Sequence, residues 1–388
     1  MLASIGWYGF YSYYLYTGDV QTIQAAYPQT RTYLMTCWTI NATTGLVNHR
    51  HGDWDWEDWG ENYDSRILDN AWYVLALKAA IPMANLTTGY TDDMEFWNHQ
   101  LASIEQNFDH EFWTGNSYQS LEQREAKKPP DDRSNAMAVL AGMVPATEKQ
   151  DRHAKIVTVL QKQFWASPYM EKYVLESLFQ MGYPDEALRR MKHRYYDMVT
   201  TSNITTLWEQ FDLHSGTYNH AWSGGPLTLL SQYVAGVVPT SPGYRTFQVL
   251  PREGRMLADI HVSVPVFLDN QQQVIAVTIQ KLRMKDADKY VYRLELSSPA
   301  SAEAVVGIPK VLLLPTKTCR LNSITINHTT AWTYGGGDQQ HQYRPQGWSF
   351  HGDTGGYIQW RTSPGPWHFE GLCNCKVLQP DFILGLIR

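Results

Sequence analysis

The stretch FQMGYPDEALRR, residues 179–190, decides the fold of the first half of the chain. It interrupts a run from Tyr169 to Val199 in which apolar residues recur every three or four positions, the period of a helix with one buried face. Gly182 stands where a helix C-cap belongs, and Pro184 with Asp185 stand where the next helix begins. Glycine accepts the left-handed backbone that ends a helix, and proline suits the first helical turn because its missing N–H has no intrahelical acceptor there. Two helices joined so closely fold back on each other as an antiparallel hairpin.

The same texture extends towards the N-terminus. IGWYGFYSYYLYTGD (5–19), DNAWYVLALKAAIPMA (69–84), SNAMAVLAGMV (134–144) and HAKIVTVLQKQFW (153–165) all carry helical spacing and are punctuated by Gly, Pro and Asp. Beyond GVVPTSPGY (236–244) the pattern changes to β-branched and alternating runs: FQVL, ADIHVSVPVFL, VIAVTIQKL, KYVYRLELSS, KVLLLP, SITINH and GYIQW. Turn-forming clusters of Asn, Asp, Gly and Pro separate them. The expected organisation is a helical domain over residues 1–240 and an all-β sandwich over residues 241–388. No repeat of fixed period argues for a solenoid, so the hairpins form either an α/α toroid or a separate helical module.

Composition narrows the function. A net charge of −6, from 32 basic and 38 acidic residues, supplies no basic stripe for a phosphate backbone, so no nucleic-acid partner is expected. No run approaches the roughly 18 apolar residues of a membrane span, and no membrane partner is expected. Four cysteines, Cys37, Cys319, Cys373 and Cys375, are too few for a disulfide scaffold, and the terminal Cys-x-Cys lacks the spaced partners of a zinc site. Neither a metal nor another cofactor is expected. Sequons at Asn41, Asn85, Asn203 and Asn327 fit a secreted protein, but the opening stretch has no basic region of a signal peptide, so the sequence assigns no compartment.

The unusual number is aromatic: 15 Trp and 24 Tyr, many beside Asp, Asn, His or Gly. An aromatic face rimmed by hydrogen-bonding groups suits a ligand that is apolar on one side and hydroxylated at its edge, which describes a sugar ring. Two clusters show this. HRHGDWDWEDWGENYD (49–64) interleaves Asp53, Asp55, Glu57, Asp58, Glu61 and Asp64 with Trp54, Trp56 and Trp59. Acidic residues ahead of a helix complement its dipole, which accounts for Asp64 but not for three alternating indoles. TTLWEQFDLHSGTYNHAWSGGP (205–226) sets Glu209 beside Trp208 and His220 near Trp222. Its Gly and Asn content reads as loop, and a loop carboxylate beside a stacking platform, with an imidazole to bond a hydroxyl, suits glycoside cleavage. The bland alternative is a helix cap in which Glu209 reaches back to the threonines.

Together these motifs resemble the α-L-rhamnosidases of the six-hairpin, (α/α)6 class. TTLWEQFD…YNHAWSGGPLTLLSQYVAGVVPTSPGY is similar to the end of that family's catalytic domain, DWEDWG to its acidic Trp loop, and SPYMEKYVLESLFQMGYPDEALRRM to its late hairpin. The resemblance implies a mainly α toroid, here partial, followed by a β-sandwich, and a rhamnose-containing glycoside or polysaccharide as substrate. It further implies inverting hydrolysis, in which one carboxylic acid protonates the leaving oxygen and a second carboxylate activates water. Glu209 matches the base. His220 and Trp54 or Trp56 match sugar-contacting positions, and Asp53, Asp55, Trp59, Trp208 and Trp222 complete the expected pocket. The family's general acid lies in a segment ahead of the YTGD helix, with which this chain begins. Twelve helices at about 25–30 residues each would need more than about 300 residues, whereas about 240 are available and roughly eight or nine helices are legible. An acid from within would come from Asp55, Glu57, Asp58 or Glu61, with Glu57 and Asp58 taken as catalytic candidates. The competing expectation is a carbohydrate-binding remnant or fragment without turnover.

Overall fold

The computed structural model describes residues 2–50, 57–286, 288–335 and 347–377. Two compact units emerge, residues 1–14 with 18–229, and residues 15–17 with 230–388.

The first unit is built from α1 (Leu2–Ile5), α2 (Ser12–Thr17, whose last turn belongs to the second unit), α3 (Val20–Cys37), α4 (Ser65–Leu86), α5 (Asp93–Phe112), α6 (Leu121–Glu125), α7 (Asp132–Leu140), α8 (Lys149–Lys162), α9 (Pro168–Gln180), α10 (Pro184–Thr200) and α11 (Gly225–Leu229). The hairpin at residues 179–190 forms as its sequence dictates. Gly182 has φ +87° and Pro184 opens α10. Across the hairpin Arg190 of α10 donates from Nε to Glu171 Oε1 at 2.6 Å and from Nη2 to Asp132 Oδ2 at 2.6 Å. α10 buries Ala187, Met191, Tyr195 and Met198 along one stripe, whereas α4 is buried almost all round, from Ile67 to Ala84. A helix apolar on every side must lie inside others, and α4 packs against α1, α3, α5 and α7.

Two long helices are faint in the sequence. α3 carries Pro28 and several threonines, and α5 mixes polar residues throughout. They are joined through side chains: Tyr27 donates its hydroxyl to Asp93 Oδ2 at 2.9 Å, and the Trp97 indole N–H donates to Tyr27 Oη at 2.9 Å. Burial of these paired groups, rather than helix propensity, explains both elements.

The second unit holds two sheets. β1 (Val237–Pro239), β2 (Thr246–Val249), β6 (Glu303–Pro309), β11 (Tyr357–Thr362) and β10 (Trp348–Thr354) form the first, in spatial order β1-β2-β6-β11-β10. Its β2–β6 pair is parallel. The second, antiparallel throughout, runs β3 (Asp259–Leu268), β4 (Gln271–Arg283), β5 (Lys289–Ser298), β12 (Gly365–Val377), β8 (Lys317–Ile326), β7 (Val311–Leu313), with β9 (Thr329–Thr333) on β8. Ile275, Val277, Leu294 and Phe369 of this sheet and Val306, Ile358 and Trp360 of the other are all buried, and the Trp360 and Phe369 rings stand 6.1 Å apart. This is the expected β-sandwich. Cys319 and Cys375, directly opposite on β8 and β12, are joined by a disulfide, and Cys373 is a buried thiol. The Cys-x-Cys motif therefore supplies one staple.

Candidate functional site

Glu209 sits on a loop closed like a small hairpin. The Glu209 N–H donates to the Thr217 carbonyl at 2.8 Å, and the His220 N–H donates to the Leu207 carbonyl at 2.9 Å. No helix forms here, so the helix-cap reading of Thr205 and Thr206 falls away; Thr206 bonds the Tyr218 carbonyl instead. The turn needs glycine at position 216: its φ is +76°, and a Cβ there would lie 3.1 Å from Glu209 Oε2. Phe211, two residues past Glu209, anchors the loop to α10. It packs edge-on to Tyr195 at 5.2 Å, and the Arg194 guanidinium lies 3.8 Å from its ring centre.

Within this loop the Glu209 carboxylate is preset for charge. Its Oε2 accepts from the Thr217 backbone N–H at 2.9 Å and from Thr217 Oγ1 at 3.0 Å, with His220 Nδ1 at 3.6 Å. The Thr217 amide, its hydroxyl and the nearby imidazole all favour the ionised form and hold its pKa below the usual glutamate value. Thr217 Oγ1 also lies 3.1 Å from His220 Nδ1, so one hydroxyl positions both groups.

Behind the carboxylate lies an aromatic wall. Trp222 donates its indole N–H to the Glu209 carbonyl at 3.0 Å, and His220 lies over it with ring centres 3.7 Å apart. Trp222 in turn meets Trp59 at 5.1 Å and Tyr169 at 5.8 Å. The two sequence clusters, about 150 residues apart, thus meet through Trp59 and Trp222. Tyr169, in the first turn of α9, is the contact that sequence reading missed; a tyrosine just after the Ser167–Pro168 helix start is ordinary local sequence. Trp208 is 1% exposed and lies in the interior, its carbonyl accepting from Ser223 Oγ.

The acidic loop is clamped from α7. Arg133 donates from Nη1 to Asp58 Oδ2 at 3.2 Å and to the Trp59 carbonyl at 3.0 Å, from Nη2 to the Glu61 carbonyl at 2.7 Å, and from Nε to Asp131 Oδ1 at 2.8 Å. Asp58 accepts a further bond from the Ser167 N–H at 3.1 Å. Burial pushes the Asp58 carboxyl up against the lowering effect of Arg133 and Ser167. Glu57, also buried, accepts from the Tyr63 hydroxyl at 2.8 Å. Burial, then the charges of Asp58 and Glu57, raises the Tyr169 phenol. Asp64 is the N-cap residue of α4, as expected of an acidic residue ahead of a helix, and it also accepts from the Ser120 N–H at 2.9 Å. Asp53, Trp54, Asp55 and Trp56 lie outside the described residues. Among the described residues, no group of three or more His, Cys, Asp or Glu side chains is arranged to hold a metal ion, and no helix is long and apolar enough to cross a membrane.

Helical hairpins followed by a β-sandwich are the architecture of the six-hairpin glycosidase class, and the family match agrees. Residues 5–234 match the model of the bacterial alpha-L-rhamnosidase six-hairpin glycosidase domain, and the chain belongs to that family. Among solved structures it is similar to the alpha-L-rhamnosidase of Dictyoglumus thermophilum (TM-score 0.71, 16% identity, 94% of this chain and 38% of that one). It is also similar to the Streptomyces avermitilis enzyme complexed with L-rhamnose (0.67, 16%, 93% and 32%) and to that of Aspergillus terreus (0.60, 17%, 76% and 35%). These likenesses establish the fold, and the chain spans between about a third and two-fifths of each of those structures. Comparison with curated proteins finds no match.

Proposed function

We propose that the helical unit takes part in inverting hydrolysis of terminal α-L-rhamnosides, with Glu209 as the carboxylate that deprotonates the attacking water. One observation carries this reading: the Glu209 carboxylate is favoured in its ionised form by Thr217, its side chain is 24% exposed, and its backbone is bonded to an indole wall shared with the acidic loop. A general base must be charged at the working pH and within reach of water, and a flat aromatic surface is one that suits the C–H face of a sugar ring. Trp59, Trp222 and His220 supply that surface, and the family resemblance assigns Asp53, Trp54, Asp55 and Trp56 to the same pocket; Trp208, expected there from the sequence, is buried in the interior and offers no face to a sugar. The proton donor is assigned to the acidic loop, Glu57 before Asp58, because Asp58 is committed to Arg133 and the Ser167 amide.

That commitment also favours a second reading, saccharide binding without turnover, since both acidic-loop carboxylates are engaged internally. The two readings separate on one assay, release of a chromogenic aglycone from an α-L-rhamnoside alongside calorimetric binding of L-rhamnose. Glu209→Gln is expected to retain rhamnose binding and to lose turnover by at least about 10²-fold, the low end for a general base. Undiminished turnover in that variant removes Glu209 from the base role. Binding without turnover in the native chain selects the second reading.

A further inference from the structure

The outer face of the seven-stranded sheet carries a cleft remote in sequence from the helical unit. Its volume is about 510 Å³, within the range of small-molecule sites. The strand register explains how it is built. Thr278, Glu295 and His368 stand opposite one another on β4, β5 and β12, and Ala276, Ser297 and Pro366 form the next row on the same face. The residues between them, Leu296 and Trp367, point into the sandwich core and fix the floor.

One wall is the turn between β8 and β9. The Asn327 N–H donates to the His368 carbonyl at 2.8 Å, and Asn327 Oδ1 accepts from the His368 N–H at 2.9 Å, so the carboxamide is pinned at the cleft edge. The His328 ring lies over His368 with centres 5.4 Å apart. His368 is set between carboxylates, with Nδ1 at 3.4 Å from Glu295 and Nε2 at 3.3 Å from Glu370, and Arg293 holds Glu370 at 2.8 Å.

We propose that this cleft is a second binding site, for a neutral saccharide. The Thr278 and Ser297 hydroxyls, the Asn327 carboxamide, the His368 imidazole and the Glu295 carboxylate line the cleft as hydrogen-bonding groups, Thr278 Oγ1 also meeting His261 Nδ1 at 3.2 Å. Pro366 and Ala276 supply the apolar patch on which its C–H face rests. An anionic ligand is disfavoured, because Glu295 faces the cleft and is about half exposed. The site stands independently of the hydrolytic reading of the helical unit.

The test is nuclear magnetic resonance of the full chain labelled with ¹³C-histidine, the His328 and His368 ring signals being assigned by their loss in His328→Asn and His368→Asn. Titration with L-rhamnose, D-galactose and a rhamnose disaccharide is expected to move both signals saturably with at least one sugar. That response should persist in Trp222→Ala, which disables the indole wall of the helical unit. Ser297→Trp, which fills the cleft from its solvent side, and Glu295→Ala should each weaken it by about tenfold or more. No saturable shift with any of the three sugars overturns the proposal. So does a response lost in Trp222→Ala but unchanged in Ser297→Trp and Glu295→Ala, or one seen with glucuronate and not with the neutral sugars.

Discussion

A carboxylate that accepts two hydrogen bonds from one residue titrates below the ordinary glutamate range, and at Glu209 both donors come from Thr217. The sign for catalysis follows directly. The base form is the ionised one, so a depressed pKa keeps it populated to lower pH, and activity should fall on the acid side only below the usual glutamate value. Thr217→Val removes the hydroxyl and leaves the backbone donor. The Glu209 pKa should rise part of the way back, and the acid limb of kcat/KM against pH should move to higher pH, with the alkaline limb unmoved. The same substitution frees the His220 ring of one partner, so KM for a rhamnoside should rise as well. An acid limb that stays in place would mean that another group controls it. Glu209 stood out in the sequence as a candidate because it follows Trp208 in a Gly-rich loop. Thr217 did not, since a threonine three residues before a histidine carries no signal until the chain folds back on itself.

The loop of residues 57–64 has little regular structure of its own, and its shape is imposed by α7. Arg133 bonds the Asp58 side chain and two backbone carbonyls of the loop while its Nε is held by Asp131. The planar guanidinium can meet several fixed acceptors at once, which a lysine cannot. Removing it strands buried Asp58 and Asp131 without a counter-charge, so Arg133→Met should destabilise the helical unit by about 3–5 kcal/mol in urea unfolding. Arg133→Lys should lose less stability yet release Trp59 from Trp222, visible as a change in tryptophan emission at unchanged helical content. A loss below about 1 kcal/mol in Arg133→Met would show the carboxylates to be satisfied in another way. Sequence periodicity marked α7 as a helix but gave no hint that one arginine in its first turn organises a loop some seventy residues earlier. The acidic cluster was expected from the sequence to face a ligand. Its buried half is accounted for by this clamp, and its indole Trp59 by the wall it forms with Trp222.

On the scale of the whole chain, the two textures of the sequence correspond to two kinds of packing. Hairpins with capped ends were legible from Gly182, Pro184 and the 3.6-residue spacing, and most sandwich strands from their alternation. Among the described residues five strands escaped that reading: β1 and β9 are only three and five residues long, and the other three have physical reasons of their own. β6 is apolar on both faces, β10 is mostly exposed, and β12 opens with Gly-Pro and alternates imidazole, carboxylate and thiol with its apolar residues. Yet β12 lies in the middle of its sheet, between β5 and β8, so its pairing partners rather than its composition define it. The Cys319–Cys375 disulfide secures this strand across a separation of 56 residues. Loop-closure entropy for that span gives about 4 kcal/mol of stabilisation, an upper figure where the reduced chain keeps residual structure. The double variant Cys319→Ser with Cys375→Ser should therefore lower the urea midpoint of the β unit. Treating the native chain with reductant should reproduce the shift, while the variant should no longer respond to reductant. If the native midpoint is insensitive to reductant, the ladder of β12 with both neighbours holds the strand without its staple, and the sandwich owes its stability to the apolar layer around Trp360 and Phe369 alone.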